Sequence, residues 1–305
     1  MHLLVISNNR LGDNVISIQV INKYIRNYKN NIEITLVTSP LALPLYDDYP
    51  MITNRIILKK KKFHFHWIEL YKKLIQFKFD EIIDFRSSAI SYFLRTKKRK
   101  IFKMKKNENI YEQIHEKFKT NLDKDFKVSI DRVRKIISSS NYACISPFAS
   151  WPFKEWDSEN FIEICKYLLE KGISKIFVLG SLQESKRFEI FKKTLGDKVI
   201  NRCGKQHLLN DYGLLQKTRI FIGNDSAMMH LSSISKVPTI ALFGPTNDKI
   251  YFPFILNNCH LIRTNENYDK LKSLKKNLYE NNLMNSISIT EVQNTINKIL
   301  NDKNF

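Results

Sequence analysis

The residues best suited to chemistry lie together at 223–246. Gly223-Asn224-Asp225-Ser226-Ala227-Met228-Met229-His230 follows a short apolar run, and Pro238-Thr239-Ile240-Ala241-Leu242-Phe243-Gly244-Pro245-Thr246 closes the stretch. The spacing predicts a strand over 219–223, a polar turn, and a helix over 226–235 with Asp225 or Ser226 as its cap. The first turn of such a helix carries unpaired N–H groups and the positive end of the dipole, which together suit a phosphate. His230 stands four residues after Ser226, so both side chains leave the helix from one face. The next strand, 239–243, ends in Gly244-Pro245-Thr246 at the same carboxyl edge, where open α/β sheets bind ligands. An ordinary capped helix with a surface histidine fits the same spacing, and spacing alone does not separate the two.

A second mixed stretch, Phe63-His64-Phe65-His66-Trp67, stands beside four lysines at 59–62. Aromatic and basic residues interleaved in this way suit a nucleic-acid or membrane surface, and equally a loop leading into a helix. Two histidines are too few for a metal site. Four cysteines, Cys144, Cys165, Cys203 and Cys259, have no C-x-x-C spacing, which excludes a zinc ribbon or a disulfide scaffold and fits a reducing compartment.

Positioning these residues requires a regular scaffold. Strands are expected at 2–7, 32–37, 55–58 and 81–85, with helices following Gly12-Asp13 and at 67–77 and 89–94. Residues 103–127 are polar, lack a firm apolar period, and are expected to form an irregular or helical excursion leading to the domain junction. A second alternation then runs through strands at 142–146, 175–179, 198–200, 219–223 and 239–243, with helices at 158–170, 183–194, 208–216 and 226–235. An amphipathic helix, 289–300, carries Ile289, Val292, Ile296, Ile299 and Leu300 on one stripe. Strands alternating with helices imply βαβ units and parallel sheets, and 305 residues with 43% hydrophobic content suffice for two such α/β halves. We expect domains at 1–137 and 138–288, facing a cleft, and a terminal helix at 289–305 packing back on the first. No apolar run approaches the ~20 residues of a membrane span. The apolar stretch Leu3 to Ile6 is too short for a signal-peptide core, so a soluble cytoplasmic protein is expected.

The segment from Asp225 to Thr246 resembles the D-[ST]-G-x-x-H…LFGPT signature of glycosyltransferase family 9, the lipopolysaccharide heptosyltransferase family, with Ala227 where the family usually has Gly. Four other segments resemble the family in order. Asn9-Arg10-Leu11-Gly12-Asp13 matches the loop after its first strand, and Asp84-Phe85-Arg86-Ser87 its D-x-[QR]. Ser146-Pro147-Phe148-Ala149-Ser150 with Lys154-Glu155-Trp156 matches P-G-A-S and K-x-W, and Gly180 with Glu184 its G-x-x-x-E. The resemblance implies a GT-B fold, with an acceptor-binding domain followed by a nucleotide-sugar-binding domain. It implies transfer of a heptose from ADP-heptose to a lipopolysaccharide core, with inversion and without metal or other cofactor.

Under that resemblance each residue acquires a role. Asp13 would be the general base that takes the proton of the acceptor hydroxyl, with a helix N-cap as its structural alternative. Lys154 would neutralise charge on the departing diphosphate, with a solvated lysine as alternative. Ser150 would donate to the same phosphates, and Asp225, Ser226, Ala227 and His230 would hold pyrophosphate and sugar. Glu184 would bind ribose hydroxyls or complement a helix dipole. Arg86 would take an acceptor phosphate or carboxylate, or form a structural ion pair. A small Ala227 still lets the backbone approach a pyrophosphate, but a positive φ there would be strained. Asp123-Lys124-Asp125 spells the D-x-D of metal-bound sugar nucleotides; with no element to aim it, we read it as coincidence.

The net charge of +20 is uneven, because residues 55–106 hold 17 Lys/Arg against 4 Asp/Glu. Such a block attracts a polyanion. The partners expected are a nucleotide sugar, a phosphorylated glycolipid acceptor and, peripherally, an anionic membrane surface, with no nucleic acid. A lysine-rich compositional drift is the bland alternative for the charge. Two functional alternatives stand: another nucleotide-hexose donor on the same fold, or a non-catalytic basic module that binds nucleic acid.

Overall fold

A computed structural model describes residues 1–29, 31–59, 61–128, 141–266 and 284–301. The chain divides into two compact units, Met1–Asp131 and Arg132–Phe305. The boundary expected at 137/138 lies outside the described residues.

The first unit is built on β1 (His2–Ile6), β2 (Glu33–Thr38), β3 (Ile52–Ile57), β4 (Phe79–Asp84) and β5 (Thr96–Ile101). All pair in parallel, in the order β3-β2-β1-β4-β5. Central strands read as nearly continuous apolar runs because helices cover both faces. Helix α1 (Leu11–Asn27) follows β1. On the opposite face, α2 (Phe65–Leu74) and α3 (Ile90–Phe93) insert Leu70, Leu74 and Ile90 into a core with Leu4, Ile6, Val37 and Ile82. In register, Ile6 lies between Val37 and Asp84. The order reverses between β1 and β4, so the chain leaves these neighbours in opposite directions and opens a crevice.

The stretch 103–127 contains α4 (Ile110–Phe118) and α5 (Leu122–Asp125), both packed on α1. Here Asp125 is fully buried. Its carboxylate accepts two hydrogen bonds from Arg26, each 2.8 Å, and one from the Asn121 amide at 2.6 Å. The second acid of the D-x-D is therefore a tie between α1 and α5.

In the second unit β6 (Tyr142–Ser146), β7 (Lys175–Val178), β8 (Val199–Asn201), β9 (Ile220–Asn224), β10 (Thr239–Phe243) and β11 (Cys259–Arg263) form a parallel sheet ordered β11-β10-β9-β6-β7-β8. Its helices are α6 (Ser158–Glu170), α7 (Glu189–Leu195), α8 (Leu208–Leu215), α9 (Ala227–Ile234), α10 (Asp248–Tyr251) and α11 (Ile289–Asn301). A 3₁₀ turn, Leu182–Phe188, replaces the first half of the helix expected at 183–194. The sheet reverses between β6 and β9. The apolar stripe of α11 places Val292, Ile296 and Ile299 in the second unit's core, beside α6 and β11.

Replacing Asp125 by Ala removes a buried acceptor but leaves a half-exposed Arg26 that water can reach. Unfolding in urea should therefore show a loss of about 2 kcal/mol. A change below about 0.5 kcal/mol would contradict the structural role given to this acid.

Candidate active site

Strands β6 and β9 meet at the reversal, with Ser146 in register with Gly223. A Cβ at Gly223 would come within 2.8 Å of the Phe221 ring and 3.1 Å of Ser146 Cβ, so the strand end requires glycine. The next residue, Asn224, is fully buried. Its Nδ2 donates to the Pro147 carbonyl at 2.8 Å and its Oδ1 accepts from the Trp156 amide at 3.2 Å. One side chain thus fixes both ends of the loop after β6. Trp156 is buried in turn, its indole N–H bonded to the Ile287 carbonyl at 3.1 Å. Glu155 fastens the middle: it accepts from the Ala149 amide at 2.8 Å and pairs with both terminal nitrogens of Arg187, whose guanidinium lies 4.5 Å from the Phe148 ring centroid.

The loop so fixed carries Lys154 across the crevice. Its Nζ donates to Asp225 Oδ2 at 2.5 Å, and His230 Nε2 stands 3.9 Å from the other carboxylate oxygen. Asp225 and His230 are buried, while Lys154 keeps 22% side-chain exposure. Burial alone would raise the Asp225 carboxyl, but the Lys154 ammonium holds it below the usual carboxylate range. Burial pushes His230 down to about 4, and Lys154 adds to the shift. At neutral pH Asp225 is therefore a carboxylate and His230 a neutral imidazole.

Ser226 is the N-cap of α9, yet its side chain makes no capping bond and its Oγ is a buried hydroxyl without a hydrogen-bond partner among the described residues. Ala227 is the first helical residue and is not among the positive-φ positions, so the substitution for Gly costs no backbone strain. The first turn, 226–228, is partly exposed, leaving its N–H groups accessible to a ligand. At the end of β10, Gly244 leaves no room for a side chain, since a Cβ would sit 2.2 Å from Met284 Sδ. Arg263 then holds the Thr246 carbonyl at 2.9 Å.

Ser150 and Glu184, also expected to bind the nucleotide sugar, are not among the residues joined by the contacts of this cluster. Ser150 is exposed on the loop after β6. Glu184 completes a capping box, its Oε2 accepting from the Ser181 amide at 2.6 Å. The helix-start reading of Glu184 thus describes its contact in the fold. Gly180 stands close beside it, since a Cβ there would lie 2.8 Å from that same oxygen and displace it.

In the first unit the same logic places Asp13 and Arg86 after the neighbouring strands β1 and β4. Asp13 is half-buried in the first turn of α1. The adjacent Asn14 shapes that turn: its amide donates to the Asn8 and Arg10 carbonyls at 2.9 and 2.6 Å, and its Oδ1 accepts from the buried Tyr46 hydroxyl at 2.9 Å. Arg86 bridges the crevice by donating from Nε to the Ser7 carbonyl at 2.5 Å, with its guanidinium 5.9 Å from the Trp67 ring centroid. Its second terminal nitrogen is buried without a hydrogen-bond partner among the described residues, and burial pushes the guanidinium down to about 10. Asp84 aims this turn by accepting from the Arg86 and Ser88 amides, each at 2.8 Å. A buried donor without a partner is costly, and an anionic oxygen is the chemistry that would satisfy it.

Asn14, Glu155, Arg187 and Asn224, the residues that hold the site, were given no role from the sequence. Three of them carry the signal of adjacency, since Asn14 follows Asp13, Glu155 follows Lys154 and Asn224 precedes Asp225, whereas Arg187 carries none. Among the described residues no three His, Cys, Asp or Glu side chains converge to hold a metal ion.

The sequence profile of glycosyltransferase family 9 (heptosyltransferase) matches residues 90–281. A lipooligosaccharide heptosyltransferase 2 of Campylobacter jejuni is 26% identical over 270 residues, covering 83% of this chain and 84% of the relative. The solved structure of Escherichia coli ADP-heptose LPS heptosyltransferase II is similar with a TM-score of 0.74 at 16% identity, over 100% of both chains. E. coli heptosyltransferase WaaC, with ADP-2-deoxy-2-fluoro heptose, gives 0.73 at 14% identity over 98% of this chain and 99% of that one. These likenesses assign the two doubly wound units to the GT-B fold.

A histidine whose folded pKa lies below its unfolded value binds fewer protons in the native state, so stability falls as pH drops from about 6.5 towards 4. His230→Gln should flatten that slope in urea unfolding, the upper bound being about 3 kcal/mol at the acid end. An unchanged slope would show that His230 is not held neutral by burial.

Proposed function

The chain belongs to glycosyltransferase family 9, and we propose that it moves a heptose from ADP-heptose onto a phosphorylated lipopolysaccharide or lipooligosaccharide core, with inversion and without a metal. The observation that carries this reading is the seat formed by Lys154, Ser226 and the open first turn of α9 at the strand reversal. Lys154 and Asp225 nearly cancel as charges. The surplus positive potential is then that of the α9 N-terminus, worth roughly half an elementary charge. A diphosphate arriving there meets free N–H groups and the Ser226 hydroxyl, and draws the Lys154 ammonium into a shared contact.

The reaction follows from that seat. An acceptor oxygen attacks the anomeric carbon from the face opposite the leaving ADP, so one displacement inverts the centre. Asp13 takes the proton as the C–O bond forms. The C–O bond to the diphosphate breaks, and its growing charge falls on Lys154 and the α9 N–H groups, the task a divalent cation performs elsewhere. Ser150 adds a donor and Glu184 offers its remaining carboxylate capacity to the ribose. Arg86, with a buried unpartnered nitrogen, suits a phosphate or carboxylate of the acceptor core. The basic excess of the first unit supports a reaction at the cytoplasmic side of a membrane, where a phosphorylated glycolipid is presented. Relatives carrying the name lipooligosaccharide heptosyltransferase support this choice of substrate class.

Transfer measured with ADP-heptose, ADP-glucose and a UDP-hexose tests the donor, and the anomeric configuration of the product tests inversion. ADP-heptose should be used best and EDTA should leave the rate unchanged. Asp13→Asn keeps shape and loses basicity, so turnover should fall by about 100-fold or more with donor affinity nearly constant. Full activity in that variant, or activity lost in EDTA and restored by Mn²⁺, would overturn the mechanism.

A further inference from the structure

The basic segment 55–106 has a second property, unrelated to charge. Thirteen large hydrophobic side chains are exposed among the described residues, and eight of them, Ile57, Phe63, Phe65, Ile68, Ile75, Tyr92, Phe93 and Met104, fall in this one segment. Compositional drift toward lysine accounts for the charge but not for apolar side chains held in water in the same place. Exposed apolar surface on this scale marks an interaction site.

The geometry gathers much of it on one face. Helices α2 and α3 cover the same side of the first sheet, burying Leu70, Leu74, Ile90 and Leu94 in one core. Their outer sides carry Phe65 and Ile68, each 54% exposed, and Tyr92 and Phe93, at 58% and 69%. Just before α2, Phe63 is 87% exposed in a left-handed conformation, φ 50° and ψ 25°. An aromatic residue in that region is strained, and its side chain gains no burial in return. The turn is nevertheless anchored, because Nδ1 of the buried His66 accepts from the Lys61 amide, 3.2 Å away. Phe63 and Phe65 meet edge to face, ring centroids 6.5 Å apart, as a projecting tip. Exposed Lys59, Lys62, Lys72, Lys73, Arg95 and Lys98 lie in the same segment.

We propose that the outer face of α2 and α3, with the Phe63 turn, is a docking surface for an anionic phospholipid bilayer. Phe63 and Phe65 enter the boundary between headgroups and acyl chains, and the lysines meet headgroup phosphates. Charge complementarity selects an anionic partner, and the aliphatic side chains select lipid over nucleic acid, since Ile68 and Ile75 offer no flat face for a base. No described helix is long and apolar enough to cross a membrane, so the contact is peripheral. The proposal does not depend on the donor or the chemistry of transfer.

Cosedimentation of the full chain with vesicles tests it, using equal phosphatidylglycerol and phosphatidylcholine against phosphatidylcholine alone at about 0.15 M salt. The protein should bind the anionic vesicles at least about 10-fold more tightly. The paired change Phe63→Ser with Phe65→Ser should weaken that binding about 10-fold or more with an unaltered circular dichroism spectrum. The single variant Phe63→Trp should gain a blue shift in its emission with anionic vesicles, and brominated acyl chains should quench it. Three results would overturn the proposal: no vesicle binding by the parent protein, equal binding after loss of both phenylalanines, or an emission from Phe63→Trp that lipid leaves unchanged. Tighter binding to duplex DNA than to vesicles, indifferent to both phenylalanines, would also overturn it, in favour of nucleic acid.

Discussion

Asn224 spans the two ends of the loop after β6 with one buried amide, and the second unit's chemistry depends on that span. With Pro147 and Trp156 held, the loop cannot drift from the sheet edge. Lys154 is carried to within 2.5 Å of Asp225. A half-desolvated ion pair of this kind adds little net stability, because desolvation offsets much of the attraction. Its value is positional: Asp225 aims the ammonium at the mouth of the α9 N-terminus and keeps it there. Asp225 is itself fixed by its backbone N–H, which donates to the Leu242 carbonyl at 3.1 Å and joins the β9 turn to β10.

The two units solve the same problem with the same device. In each sheet the central strand pair is where the order reverses, β1 with β4 and β6 with β9. The candidate site residues stand at those carboxyl ends, and the turns that carry Asp13, Arg86 and Lys154 are each held by a buried amide or acid. Asn14 captures two loop carbonyls in the first unit, Asp84 two amides, and Asn224 one of each in the second. Neighbouring loops diverge at such a reversal, which is where open α/β sheets bind ligands.

Much of this was legible. The strands at 142–146 and 239–243 and the helix at 158–170 fall where apolar runs and spacing put them. The edge strand β5 was missed, because TKKRKI has no apolar alternation. Its four central residues are exposed and basic, which keeps an edge from pairing with other chains. The short α4 falls in the stretch expected to be irregular or helical: Ile110, Tyr111, Ile114 and Phe118 repeat at helical spacing, but the surrounding polar residues leave its bounds unmarked. At the candidate site, Asp13, Lys154, Asp225 and His230 are singled out by the sequence because their types carry chemistry. Residues that hold them are not, since an Asn or a Glu with two backbone partners looks like any other polar residue until the loop is folded.

The central claim is that Lys154 and the α9 N-terminus form a metal-free diphosphate seat. Calorimetric titration of ADP and AMP in EDTA, on the parent protein and on Lys154→Ala, tests it most directly. One charge-assisted contact at a partly buried site is worth about 1.5–3 kcal/mol, or roughly 10- to 100-fold. ADP should bind the parent protein more tightly than AMP by about that factor, and the difference should largely vanish in Lys154→Ala. Equal affinities for ADP and AMP, or a difference that needs a divalent cation, would contradict the account.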